Sequence, residues 1–387
     1  MATNPSPKGH TDRIDFEQFY PFLAWMHASS HLMLRLKPLH PALMARIVND
    51  PNPNVPAIQL PDGWEGRVVV LNDMQLPSPA APPGSMAWFP HAQSPKVARK
   101  LCRRMIYSDY LLPILTAIST AIFVEMYSTS SGLDASRPDG RRVRLRYRSM
   151  PIADFGIAMG SVRVASQDRL TYMKLSDDSF TRGPDPDNHY WLYFTTVKGE
   201  EIILECGMFP FNMCQVVNTI PYLPPQMPTE PSADVRVGWA PCHVVERTMR
   251  KNTPSLHTER KRLSMLRHPK LQEAVKSFQA IFRDVSDDVP LPGPSDFKPF
   301  FDYMEELSGR SLEIVEKNMF AQFSRINCFS MHYVLCGEEW KKFPLEPQLG
   351  IEEDPDEADY LHDERALSKK RKEQKRRHRS STSKKRR

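Results

Sequence analysis

The sequence predicts an α+β protein. A mostly antiparallel sheet packs with a buried core helix and N-terminal helices, followed by a helical C-terminal region and a disordered charged tail. Three observations predict this. Leu111, Ile114, Leu115, Ile118, Ile122 and Val124 make one helical run apolar nearly all round, as a central core helix is. Between Asp187 and Leu223, two strand-like runs, 189–197 and 201–206, flank the turn Lys198-Gly199-Glu200. Beyond Gly337 periodicity is lost. Glu352 to Glu364 then holds eight acidic residues and no Lys or Arg, and Arg365 to Arg387 holds 13 Lys/Arg and one Glu.

Composition bounds the rest. A length of 387 residues fits two domains, or one large domain with tails, and 40% hydrophobic residues suffice for a core. Proline, at 36 residues, is nearly double the usual share of about 5% and gathers in extended connections. The net charge of +6 hides a basic tail of +12 and a remainder of about −6 (6 minus 12). Six cysteines form no CxxC, and MATNPSPKGHTDR has no apolar signal core, so free buried thiols in a reducing compartment are expected. The apolar run Tyr110 to Val124 is shorter than the roughly 20 residues a membrane span needs and contains Pro113, Thr116, Ser119 and Thr120. No membrane partner is expected.

In chain order, 1–13 reads as disordered, 14–240 as the α+β core, 241–337 as a helical region packed on or beside it, and 338–387 as a disordered acidic, then basic, tail. A helix is expected over 16–36 and a short one over 41–48. Arg67 to Leu71 reads as a buried strand. Ser94-Pro95 is a helix start, with Ser as N-cap and Pro at the first helical position. That helix runs to about 110, and Pro113 then kinks it or restarts it as a second helix ending near Tyr127. From Arg141 the period changes to two: Arg142, Arg144, Arg146 and Arg148 alternate with Val143, Leu145 and Tyr147. Short strands are predicted over 155–159, 161–165, 170–175 and 235–239. Helices are predicted over 255–268, 269–284, 296–308 and 310–335.

The central hairpin carries the one arrangement with catalytic chemistry. His189 opens one strand and Glu205 ends the next, so the turn brings an imidazole towards a carboxylate. A base oriented by an acid is two parts of a Cys-His-acid arrangement. HYWLYFTTVKGEEIILE resembles the His-strand and acid-strand of the transglutaminase-like and papain-like superfamily. That resemblance implies a Cys-dependent amide hydrolase or acyltransferase with His189 as base, Glu205 orienting it and Cys102 as nucleophile. Two departures stand against it. Glu205 replaces the usual Asp, and Cys102 lies inside a helix rather than at the N-terminus that would lower its thiol pKa. The segments RLRYRSMPIADFG, HYWLYF and MHYVLCG also resemble uncharacterised proteins of mushroom-forming fungi, and that resemblance implies no activity.

No metal or cofactor is expected. Cys328, His332 and Cys336 recur at a spacing of four on one helix, but a structural zinc takes four ligands, usually from two elements. GxxxxGK[ST], Rossmann glycines, HExxH and GxSxG are all absent. The arginine strand reads as charge that guards an exposed face.

The tail is the strongest signal. Lys369, Lys370, Arg371, Lys372, Lys375, Arg376, Arg377, Arg379, Lys384, Lys385, Arg386 and Arg387 form clusters of the kind nuclear import receptors read. The same clusters attract RNA, DNA or other polyanions by counterion release. The expected function is therefore a non-enzymatic binding or scaffold protein of the nucleus, or of nucleus and cytoplasm. Its folded body would hold a protein partner of unknown identity, and its 369–387 segment an import receptor. Cys-dependent acyl chemistry is the alternative.

Overall fold

The computed structural model describes residues 11–33, 37–51, 55–72, 82–128, 142–224, 237–247, 256–283 and 296–352. The whole basic tail lies outside them. The fold is α+β. The chain opens with β1 (Thr11–Asp15) and α1 (Phe16–Leu32), then β2 (Arg46–Ile47), β3 (Ile58–Gln59) and β4 (Glu65–Asn72). Helices α2 (Pro95–Ile106) and α3 (Leu111–Ile122) follow, and α3 runs on into a π turn, Phe123–Tyr127. Next come β5 (Arg142–Tyr147), β6 (Met150–Val162), β7 (Leu170–Lys174), β8 (Phe180–Arg182), β9 (His189–Thr196), β10 (Glu201–Glu205) and β11 (Gln215–Asn218). After these are β12 (Trp239–Pro241), β13 (His243–Glu246) and β14 (His257–Ser264), then α4 (Pro269–Arg283), α5 (Lys298–Ser308), α6 (Ile314–Cys336) and β15 (Leu349–Ile351).

Two compact units divide the chain. Of the described residues, the larger takes in those within 11–40, 104–165 and 182–351, and the smaller those within 41–103 and 166–181, with Glu352. In the smaller unit β4 is central: β2 and β3 pair antiparallel with its two ends, and β7 runs parallel beside it. Trp64 Nε1 donates to Thr171 Oγ1 at 2.9 Å across that parallel pair, and the buried Arg67 donates to the Pro51 carbonyl at 2.7 Å.

The larger unit is built on a seven-stranded sheet ordered β1-β5-β6-β9-β10-β13, with β14 also on β6. All its pairs are antiparallel except β1 with β5. One face, including Phe155, Ile157, Leu192, Phe194, Ile202 and Leu204, packs with α1 and α3 in the main core. Phe16 meets Phe194 there at 4.7 Å between ring centroids. Each such aromatic side chain is worth about 1.5–3 kcal/mol on full burial. The other face buries Ala158, Trp191, Tyr193 and Ile203. A net of ion pairs joins Arg247 and Arg262 to Glu201 and Glu259, and the Arg262 guanidinium lies 4.5 Å from the Tyr193 ring centroid. Beside α3, α6 runs in the same direction. Tyr110, at the start of α3, senses the charges of Glu313 and Glu316 at the start of α6, and Glu125, past the end of α3, meets His332 late in α6. A second sheet, β12-β11-β15, completes the unit.

Several expectations are corrected. Residues 11–15 form β1, because pairing with β5 satisfies their backbone, so order begins before residue 14. Residues 41–48 form a short 3-10 turn, Pro41–Leu43, and then β2. The run at 155–159 and the first two residues of 161–165 belong to one long strand, β6, which ends at Val162. Within the basic stretch expected as a helix over 255–268, His257–Ser264 form the strand β14. Glycine on β6 permits this close approach: a Cβ on Gly156 or Gly160 would lie 2.1 Å from the Leu263 or Thr258 carbonyl oxygen. The span 241–337 therefore opens with two strands of the main sheet before its helices begin. Residues 349–351 pair with β11, so the tail does not start at 338.

Candidate functional site

The hairpin sets the site. Gly199, at φ +81°, turns β9 into β10, and the register places Leu204 opposite Leu192. His189, Trp191 and Tyr193 then share the sheet face carrying Ile203 and Glu205, because side chains alternate along a strand. His189 Nε2 donates to Glu205 Oε2 at 2.9 Å, as the spacing predicted. A third residue joins them. From β14, His257 Nε2 donates to the same Glu205 oxygen at 2.7 Å. The other oxygen, Oε1, accepts the Gly207 N–H at 2.6 Å.

All three side chains are buried, at 4%, 1% and 2% exposure for His189, Glu205 and His257. Burial by itself raises the Glu205 carboxyl. The charge of His189 and the hydrogen bonds from His189 and His257 overcome it and hold the group well below the usual carboxylate range. Aromatic rings close the surroundings: Trp191 lies 4.7 Å from His257 and Phe211 lies edge-on to His189 at 5.8 Å, centroid to centroid. Gly207 leaves no room either, since a Cβ there would stand 2.4 Å from Leu111 Cδ2 and 2.8 Å from His189 Cε1.

The third sequence-predicted member does not complete a triad. Among the described residues, no Cys, Ser or Thr side chain hydrogen-bonds to the His189 ring, and Glu205 occupies its Nε2. Cys102 belongs to the smaller unit and is 7% exposed. Burial pushes its thiol up to about 11, against the opposing charge of Arg103. A thiol so placed stays protonated and is a poor nucleophile. The arginine strand is likewise engaged within the protein: Arg146 lies 3.6 Å from Asp15, Arg148 pairs with Glu246 at 2.7 Å, and Arg144 lies over the Tyr127 ring.

Sequence reasoning missed one further group and the carboxylate of a second, whose His332 and Cys336 it had noted. On α1, His27 and His31 face one another, Nε2 to Nε2, at 3.2 Å. Lys37 Nζ lies 3.2 Å from His31 Nδ1 and also donates to the Ile106 carbonyl. Burial pushes His27 down to about 3, against the pull of the Glu205 carboxylate, and Lys37 down to about 8, against Asp109. The i, i+4 pair on an apolar helix was the signal available for the histidines. The second group is Glu125 on the π turn, whose Oε2 accepts from His332 Nδ1 at 3.0 Å. Cys336 Sγ stands 3.5 Å from the same nitrogen.

No group of three or more His, Cys, Asp and Glu residues among the described residues is arranged to hold a metal ion. Among them, no single helix is long and apolar enough to cross a membrane. Comparison with protein-family models, with curated proteins and with solved structures gives no match.

Proposed function

We propose that this chain is a nuclear binding or scaffold protein, in which the basic segment 369–387 engages an import receptor and attracts polyanions. The observation that carries the reading is the charge of Arg365 to Arg387, 13 Lys/Arg against one Glu, set on a chain whose remainder is acidic. The site geometry favours binding over hydrolysis. Glu205 orients His189 as an acid orients a base, but among the described residues no Cys, Ser or Thr side chain hydrogen-bonds to the ring, so no nucleophile stands in place for it to deprotonate. Exposed apolar side chains on the small sheet support a protein partner for the body. Leu349, Ile351, Trp239 and Ile220 are 67%, 75%, 39% and 58% exposed around β15 and β12.

Binding in solution tests the reading. The purified full chain is titrated against a recombinant import receptor and against unstructured single-stranded RNA at 50 and 200 mM salt. Receptor binding that disappears when Lys369 to Arg379 are neutralised to Gln supports it. So does RNA binding whose log-log salt slope is set by the tail charge, at roughly −0.7 per phosphate neutralised on a single strand. Receptor binding indifferent to those substitutions contradicts it.

A further inference from the structure

The Cys-His-carboxylate grouping absent at His189 is assembled elsewhere, by Cys336 and His332 of α6 and Glu125 of the π turn. Two features make it more than a cysteine beside a histidine. The first is the backbone. At the end of α3 the chain widens to an i→i+5 bond, Ser128 N–H to the Phe123 carbonyl at 2.8 Å. Such a turn inserts a residue into the helix, and π turns recur at functional sites. This one delivers Glu125 to α6. The second is the carboxylate. Glu125 is 8% exposed, its Oε2 accepts a hydrogen bond from His332 Nδ1, and its Oε1 is buried with no hydrogen-bond partner among the described residues.

We infer that Cys336 is the reactive thiol of this protein, a modification site for small oxidants such as hydrogen peroxide, with His332 as the cation that stabilises its thiolate. The sulfur, with its hydrogen bond, and Glu125 jointly push the His332 imidazole up to about 10, so the ring is cationic at neutral pH. A cationic Nδ1–H at 3.5 Å favours the thiolate form of Cys336. Glu125 acts on the sulfur in two opposing ways: it keeps His332 charged, and it repels the thiolate. The helix C-terminus adds repulsion. Cys328, one helical turn before His332, is fully buried, and Glu339 beyond the helix end is paired with Lys342 at 2.8 Å.

Because acid and sulfur meet at one nitrogen, the ring cannot relay a proton from one to the other as in a hydrolase triad. Oxidation needs no relay. The thiolate sulfur attacks one peroxide oxygen, the O–O bond breaks, and the sulfur is oxidised by two electrons to the sulfenic acid. The hydroxide that leaves takes the His332 Nδ1 proton and departs as water. Peroxide is reduced in the same step.

The other five cysteines provide the comparison. Cys102, Cys206, Cys242 and Cys328 are buried, whereas Cys214, like Cys336, is partly exposed and donates to the Asn212 carbonyl at 3.3 Å. The full chain is treated with limiting iodoacetamide at pH 7, and separately with peroxide plus dimedone, and each cysteine is quantified by peptide mass spectrometry. The expected result is alkylation of Cys336 about tenfold faster than Cys214, since reactivity follows thiolate fraction and Cys336 has a cation at its sulfur where Cys214 has the Asn212 carbonyl. Dimedone should add at Cys336, and H332Q should bring its rate down to that of Cys214. Equal rates for the two cysteines in the unaltered chain overturn the proposal, and that comparison stands whether or not H332Q folds. A rate at Cys336 that H332Q leaves unchanged overturns it as well.

Discussion

His257 Nε2 lies 2.7 Å from Glu205 Oε2, and the histidine reaches that oxygen from a strand 52 residues further along the chain. This bond turns a hairpin pair into a clamp. It ties β14, which pairs with β6, to the end of β10, and with His189 and the Gly207 N–H it satisfies a buried carboxylate. A buried charge supported in this way holds the sheet together only while all its partners are present.

Removing the carboxylate should therefore cost more than an ordinary substitution. Glu205→Ala leaves two buried histidines without their acceptor, and a loss of about 3–5 kcal/mol is expected from urea unfolding of the full chain. A loss under about 1 kcal/mol would show that the clamp does not bear on stability.

Acid should undo the same contribution. The folded-state pKa of Glu205 lies below its unfolded value, so the folded state binds fewer protons. Its contribution is complete above the ordinary glutamate value of about 4.3 and drains away as pH falls below it towards the depressed folded value. The stability difference between the unaltered chain and E205Q should be flat from pH 7 to 5 and shrink from pH 4 downwards. A difference that grows on acidification contradicts the sign.

Gly207→Ala tests how tightly the clamp is enclosed. The new methyl meets Leu111 Cδ2 and His189 Cε1, and overpacking of this kind costs about 1–3 kcal/mol. Leu111→Ala in the same chain should return part of that loss. If G207A is neutral by thermal denaturation, the close contact is not real.

Cys102 should behave as an inert core thiol. Native-state alkylation at pH 7 should leave it unlabelled until the chain unfolds, with the same slow rate in H189Q. Fast labelling of Cys102 that depends on His189 would restore the acyl-transfer reading.

The legible and illegible parts of this fold separate by the range of the interactions that make them. The β9–β10 hairpin could be read because its alternation and the Gly199 turn are local, and with it the His189–Glu205 pair. The core helix α3 could be read from a run apolar on every side. The strand β14 could not. HTERKRLS has no apolar alternation, and it is a strand because β6 offers it a ladder and glycines on which to settle. His257 was lost with it. Glu125 and His332 meet across 207 residues, and no local pattern announces such a pair. Half of that second site, the spacing of Cys328, His332 and Cys336, was visible on one helix. Its carboxylate was not.

The most direct test of the proposed function is the nuclear fraction of the fluorescently tagged full chain in living cells, beside a variant in which Lys369, Lys370, Arg371, Lys372, Lys375, Arg376, Arg377 and Arg379 are replaced by Gln. The account predicts nuclear accumulation of the first and its loss in the second, with both proteins equally abundant. A full chain excluded from nuclei, or a variant that accumulates there as well as the original, would contradict it.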